Sequence, residues 1–191
     1  MDKKTANEHK AKIFLEDDIK EPVGHLIEHR LPWLTLGLLG GMGIAMLVSG
    51  FEESLSRDVR LVFFIPIIVY MSDAIGTQTE TIYIRHLKKT GAGFWKYIVK
   101  ETILGFSFGV IFGTLLGFFA YFWLKDFKVA LAAGIAMLIN VTIAPILATV
   151  VPNLLYRRHT DPALGSGPLA TVIQDGLSLF IYFSIATLII F

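Results

Sequence analysis

No cysteine occurs anywhere in the chain. Disulfides, thiol nucleophiles and thiolate metal sites are therefore excluded together, and any metal must be held by oxygen or imidazole. Charge is scarce too: only 17% of residues are charged against 54% hydrophobic, with a mean hydropathy of +0.63, which excludes an ordinary soluble domain. An excess of either sign is also missing, because the net charge of +1 argues neither for nucleic acid nor for acidic substrates. No nucleophile paired with a base, phosphate-cradling loop or zinc-type spacing is visible, and HLIEH at His25 to His29 has metal-like spacing only superficially. An enzyme is not expected. Nor is a cleavable signal peptide, since the first thirty or so residues are polar and the first apolar segment would itself direct insertion.

What is present is a succession of long apolar segments. The reading is an all-α integral membrane protein with five transmembrane helices, at approximately 31–51, 61–84, 102–124, 129–155 and 164–191. A cytoplasmic tail of mixed charge, 1–22, and a short amphipathic helix at the membrane surface, 23–30, precede them. Pro32 and Trp33 fall at the start of the first span, where a missing amide proton costs little and an indole suits the interface. Gly105, Gly109, Gly113 and Gly117 recur every fourth residue in the third span, a face for close helix packing. Pro145 and Pro152 suggest a kinked fourth span, and Asn140 near its middle could donate a ligand oxygen or, preferably, an interhelical hydrogen bond.

Two spans carry carboxylates where they are costly. Asp175 is the one formal charge in the last span, and an aspartate at the bilayer centre costs roughly 2.5 to 3.5 kcal/mol on insertion scales. It should face a bundle interior, a partner or water. Pro168, Thr171, Ser178 and Tyr182 share its helical face. In the second span Asp73, Thr77 and Glu80 lie within about 60° of one another on an α-helix, with Gly76 and Gln78 between them. A stripe of this kind needs water or cations beside it. Its all-oxygen chemistry suits hard divalent cations, Mg²⁺ first, with Mn²⁺, Co²⁺ or Ca²⁺ as alternative cargo. One chain supplies few such groups, and two copies about a twofold axis would double them.

Basic residues of the tail, of the connection from Arg85 to Lys100, and Arg157 with Arg158 fall on one side of a five-span chain. The positive-inside rule then places the N-terminus in the cytoplasm and the C-terminus outside, in the cell (inner) membrane. In that orientation Asp175 and Asp73 lie about 15 and 18 Å from the cytoplasmic end, near the midplane, and Glu80 lies closer to the cytoplasmic mouth.

The segment IPIIVYMSDAIGTQTETIYIR resembles the second membrane helix of the MgtE family of magnesium channels, whose usual form there is Gly-Asn-Ala-Gly-Thr-Gln ending in Arg. HRLPWLTLGLLGG is similar to that family's entry to its first helix, and DPALGSGPLATVIQDGLSLFIYFSIATLII to its fifth. The resemblance runs from Glu28 to Phe191. It implies a homodimer with a cation pore near the dimer axis, lined by the second and fifth helices. Asp175 matches the family's ion-binding aspartate and Thr171 the position one turn earlier that helps form that site.

Three metal-site residues are therefore expected, Asp175, Asp73 and Thr171. Glu80, Thr77, Gln78, Gly76, Ser178 and Asn140 are expected to line the pore. Ala74 stands where the family has Asn, with Asp73 beside it and Ser72 in place of a Gly, so this pathway is more acidic than the family's. That change could shift ion preference or favour a coupled carrier over a channel. The family's cytoplasmic sensor, a helical domain followed by paired CBS domains, has no counterpart in the sequence, so gating through it is not expected. The competing readings are an ion-coupled or efflux carrier for Mg²⁺, Mn²⁺ or Co²⁺, and a non-transporting membrane subunit that uses its glycine faces to bind a partner.

Overall fold

A computed structural model describes residues 21–89 and 93–191. Residues 1–20 of the expected tail, and 90–92 within the basic connection, lie outside the described residues. Five helical segments are long and apolar enough to cross a membrane. Helix α1 is Val23–Ser49. A short acidic helix α2, Glu52–Arg57, leads into a 3₁₀ helix at Val59–Phe64, which passes directly into α3, Ile65–Lys89. The bundle continues with α4, Phe94–Leu124, α5, Phe127–Arg157, and α6, Pro162–Ile190.

The segment 23–30, expected as a separate surface helix, is instead the start of α1, which runs unbroken through Pro32. Pro32 is thus interior to the helix rather than at its first turn. It removes one backbone hydrogen bond there without ending the helix. Helix α4 likewise begins at Phe94, eight residues ahead of the expected span, because the stretch up to Thr102 has no glycine or proline to stop it.

Helix ends follow local chemistry. Asp126 caps α5, its Oδ1 accepting from the amides of Lys128 (3.0 Å) and Val129 (3.3 Å). Asp161 caps α6 by accepting from the Ala163 amide at 2.9 Å, with Pro162 at the first helical position. Gly93, at φ 79°, supplies the left-handed turn that starts α4.

Helix α5 is the hub and packs against α4, α6 and α3. Its buried faces are mostly small, including Ala130, Ala133, Ala136, Ala144 and Ala148, so its neighbours approach closely. The four-residue glycine repeat of α4 does the same from the other side. A Cβ on Gly109 would lie 2.6 Å from the Leu138 carbonyl oxygen, and one on Gly113 2.6 Å from that of Gly134. Larger side chains fill the rest of the core, among them Leu61, Phe64, Ile68, Met137, Tyr182 and Phe183.

Helix α1 differs from the others. It buries no residue completely and packs along α6. The Trp33 ring covers Gly165, Pro168 covers Gly37, and Ile44 covers Gly176, while any Cβ on Gly40 would collide with Val172. Gly37 and Gly40 of this span are therefore spacers for α6, whereas Gly41 and Gly43 have open space around them.

Candidate functional site

Helices α3 and α6 lie side by side, and the two stripes read from the sequence meet along that seam. Thr171 Oγ1 donates to Asp73 Oδ1 at 3.3 Å. Both residues, with Asp175, line a groove of about 480 Å³ whose other walls include Gly41 and Ile44 of α1 and Pro66 and Tyr70 of α3. All three expected metal-site residues are thus brought to one place. Asp175 is half-buried, and its Oδ1 is withdrawn from solvent with no hydrogen-bond partner among the described residues. A buried carboxylate oxygen left without a donor is costly in a low-dielectric setting, so it calls for a donor or a cation beyond the described residues. Among the described residues no three His, Asp or Glu side chains cluster closely enough to hold a metal on their own.

Toward the Lys89 end of α3 the same seam holds a second, much smaller space of about 10 Å³. Asp73, Gly76, Thr77 and Glu80 of α3 line it together with Thr171 and Gln174 of α6 and small residues of α5. Glu80 Oε1 lies 2.5 Å from Ser166 Oγ, which also lies 2.5 Å from the Pro162 carbonyl. Ser72, beside Asp73 in sequence, is fully buried and satisfies itself by donating to the Ile68 carbonyl at 2.8 Å.

The remaining expected pore-lining residues divide. Thr77 is exposed on the seam and lines the small space, whereas Gln78 is exposed but lines neither. Gly76 is buried against Ala144 and Ala148 of α5. Asn140 and Ser178 do not line the groove within this chain. Asn140 is fully buried and donates through Nδ2 to the Ser178 backbone carbonyl at 3.3 Å, while the Ser178 hydroxyl bonds Gln174 Nε2 at 3.1 Å. The physical reason is that α5 occupies the side of α6 to which Ser178 turns. Tyr182 leaves the polar face as well, its hydroxyl donating to the Leu61 carbonyl of the 3₁₀ segment at 2.8 Å.

Three residues of this region were not anticipated. Gln174 and Ser166 are buried polar side chains on α6, and neither carries the formal charge that makes Asp175 conspicuous. Gln174 was findable, because it lies three residues after Thr171 and four before Ser178. Glu101 lay just ahead of the expected third span, yet it sits within α4, where Thr79 donates to it at 3.0 Å.

Five apolar helices with carboxylates and hydroxyls turned to one seam define a polytopic membrane protein with a polar face at membrane depth. The chain belongs to the MgtE family, described as a divalent cation transporter, which residues 65–185 match. That is a family of transporters rather than of enzymes. Similar proteins include the magnesium transporters MgtE of Bacillus subtilis, 32% identical over 83% of this chain, and of Enterococcus faecalis, also 32% identical over 83%. The magnesium transporter MgtE of Thermus thermophilus is 30% identical over 84%. The chain spans 36% of the length of each of these relatives.

Proposed function

We propose that the chain forms the membrane pathway of a divalent cation transporter, with Mg²⁺ as the favoured cargo and Mn²⁺, Co²⁺ or Ca²⁺ as competitors. The unpartnered Asp175 oxygen beside Asp73 and Thr171 carries this reading. A groove of about 480 Å³ leaves room for an ion that keeps part of its water. Mg²⁺ binds in that manner, through one or two carboxylates and several waters. Thr77, Thr171 and Tyr70 are exposed on the seam of the single chain, which suits a second copy facing it across a twofold axis. The N-terminus lies in the cytoplasm and the C-terminus outside, as the placement of basic residues favours.

Metal uptake into proteoliposomes tests the proposal. Wild-type protein should carry Mg²⁺, and Asp175→Asn should lower the flux by at least tenfold while leaving folding and assembly intact. No flux from folded wild type would sink the channel reading and favour a non-transporting subunit. A second reading, an ion-coupled carrier, is favoured by the extra carboxylates Asp73 and Glu80 on the same seam. It requires that flux respond to an imposed Na⁺ or pH gradient.

A further inference from the structure

The small space between α3 and α6 differs from the groove in size and in chemistry. At about 10 Å³ it is at the lower limit for one water molecule, roughly 10 to 15 Å³ of such volume. Two acidic residues, Asp73 and Glu80, and two threonines, Thr77 and Thr171, line it. The rest of its wall includes Ala144, Leu147, Ala148 and Ala170, which offer no hydrogen bonds from their side chains.

Gln174 also lines this space and is only 3% exposed. Its Nε2 is taken up by Ser178, while its Oε1 is buried and has no hydrogen-bond partner among the described residues. An amide oxygen in that state carries an uncompensated desolvation cost, and it accepts only a donor or a cation. Two carboxylates already make the surroundings negative, which selects the cation.

We propose that this space is a second cation site, contained within one chain, that takes a single dehydrated Na⁺. Glu80, Asp73, Thr77 and the Gln174 amide oxygen supply its ligands. Mg²⁺ is disfavoured by its reluctance to shed water, since the space has room for little more than one water-sized particle. K⁺ is disfavoured because it is as bulky as the water molecule that the space barely admits, whereas Na⁺ is smaller. Asp73 and Thr171 line both this space and the groove, so their hydrogen bond is the partition between them. Occupancy of the site stands on this geometry alone; coupling of Na⁺ to divalent flux through that partition rests on the transport reading above.

Thermal unfolding of the purified full chain in detergent, with NaCl replacing KCl or choline chloride at constant ionic strength, tests occupancy without transport. Wild type and Asp175→Asn should both gain about 2 to 6 °C in Tm from Na⁺. Glu80→Gln and Gln174→Met should lose that response, and Gln174→Glu, which keeps an oxygen, should retain it. Equal Tm in all three salts would overturn the site, as would a Na⁺ response that survives in Gln174→Met or disappears in Asp175→Asn. A response to MgCl₂ that requires Gln174 would overturn the identity of the ion. Absent Na⁺ stabilisation alongside flux that depends on Asp175 would remove this site and leave the transport reading standing.

Discussion

Asp175 and Asn140 are both polar, both at membrane depth, and on opposite sides of the distinction that matters. Asp175 keeps a buried oxygen without a donor beside a groove, whereas Asn140, whose Oδ1 is likewise unpartnered among the described residues, lines no groove and gives its amide hydrogen to the Ser178 carbonyl of a neighbouring helix. Interhelical hydrogen bonds in bilayers average about 0.6 kcal/mol, so Asn140→Ala should cost about 1 kcal/mol or less in an SDS unfolding titration. Flux and ion order should be unchanged in the same variant. A shift in ion preference would place Asn140 on the pathway after all. The sequence made the carboxylates legible because a charge in an apolar run is conspicuous. It could not tell Asp175 from Ser178, since helical periodicity names a face and leaves open which neighbour fills it. Gln174 bears no charge and so does not stand out in an apolar run.

At the scale of elements, the spans and the glycine contacts of α4 follow from composition, since long apolar runs and small residues at fixed spacing each have one economical use. Winding and tertiary clamps were not legible. The 3₁₀ segment ahead of α3 is pinned by Arg60, whose Nε and Nη2 donate to Asp58 at 2.8 and 2.6 Å and whose Nη2 also reaches Asp126 at 2.9 Å. This joins the α2–α3 connection to the cap of α5 across 66 residues of sequence, which no local pattern reveals. The Arg60 hydrogen bond holds the Asp58 carboxyl below its ordinary 3.8, against the effect of burial. For Asp126 burial acts upward but is outweighed by the Val129 amide, Arg60 and the Lys128 amide, so its value is lowered too. Carboxylates lowered in the folded state stabilise it fully above about pH 4 and lose that contribution as pH falls through their folded values. Arg60→Met should therefore destabilise the protein by about 1 to 2 kcal/mol at pH 7, and the difference from wild type should shrink progressively as pH falls below about 4 in the same unfolding assay. An undiminished difference in acid would mean that Arg60 acts through packing alone.

For the molecule as a whole, the seam of α3 and α6 is the face on which function and assembly are both proposed to fall. The absence of cysteine makes that testable, because any introduced thiol is unique. Tyr70→Cys or Thr77→Cys, both exposed on the seam, should form disulfide-linked dimers under mild oxidation, whereas Phe118→Cys on the far helix α4 should not. Cross-linking at Phe118 alone would move the interface to α4 and leave the carboxylates facing lipid. The 3₁₀ segment also sets the direction in which the seam points. A 3₁₀ helix turns about 120° and rises about 2.0 Å per residue, against about 100° and 1.5 Å for an α-helix. Rewinding the six residues Val59–Phe64 would rotate α3 by about a third of a turn and shorten the segment by about 3 Å. Asp73 and Glu80 would swing away from α6 as one rigid row, so their azimuth is geared to six residues that carry no carboxylate at all.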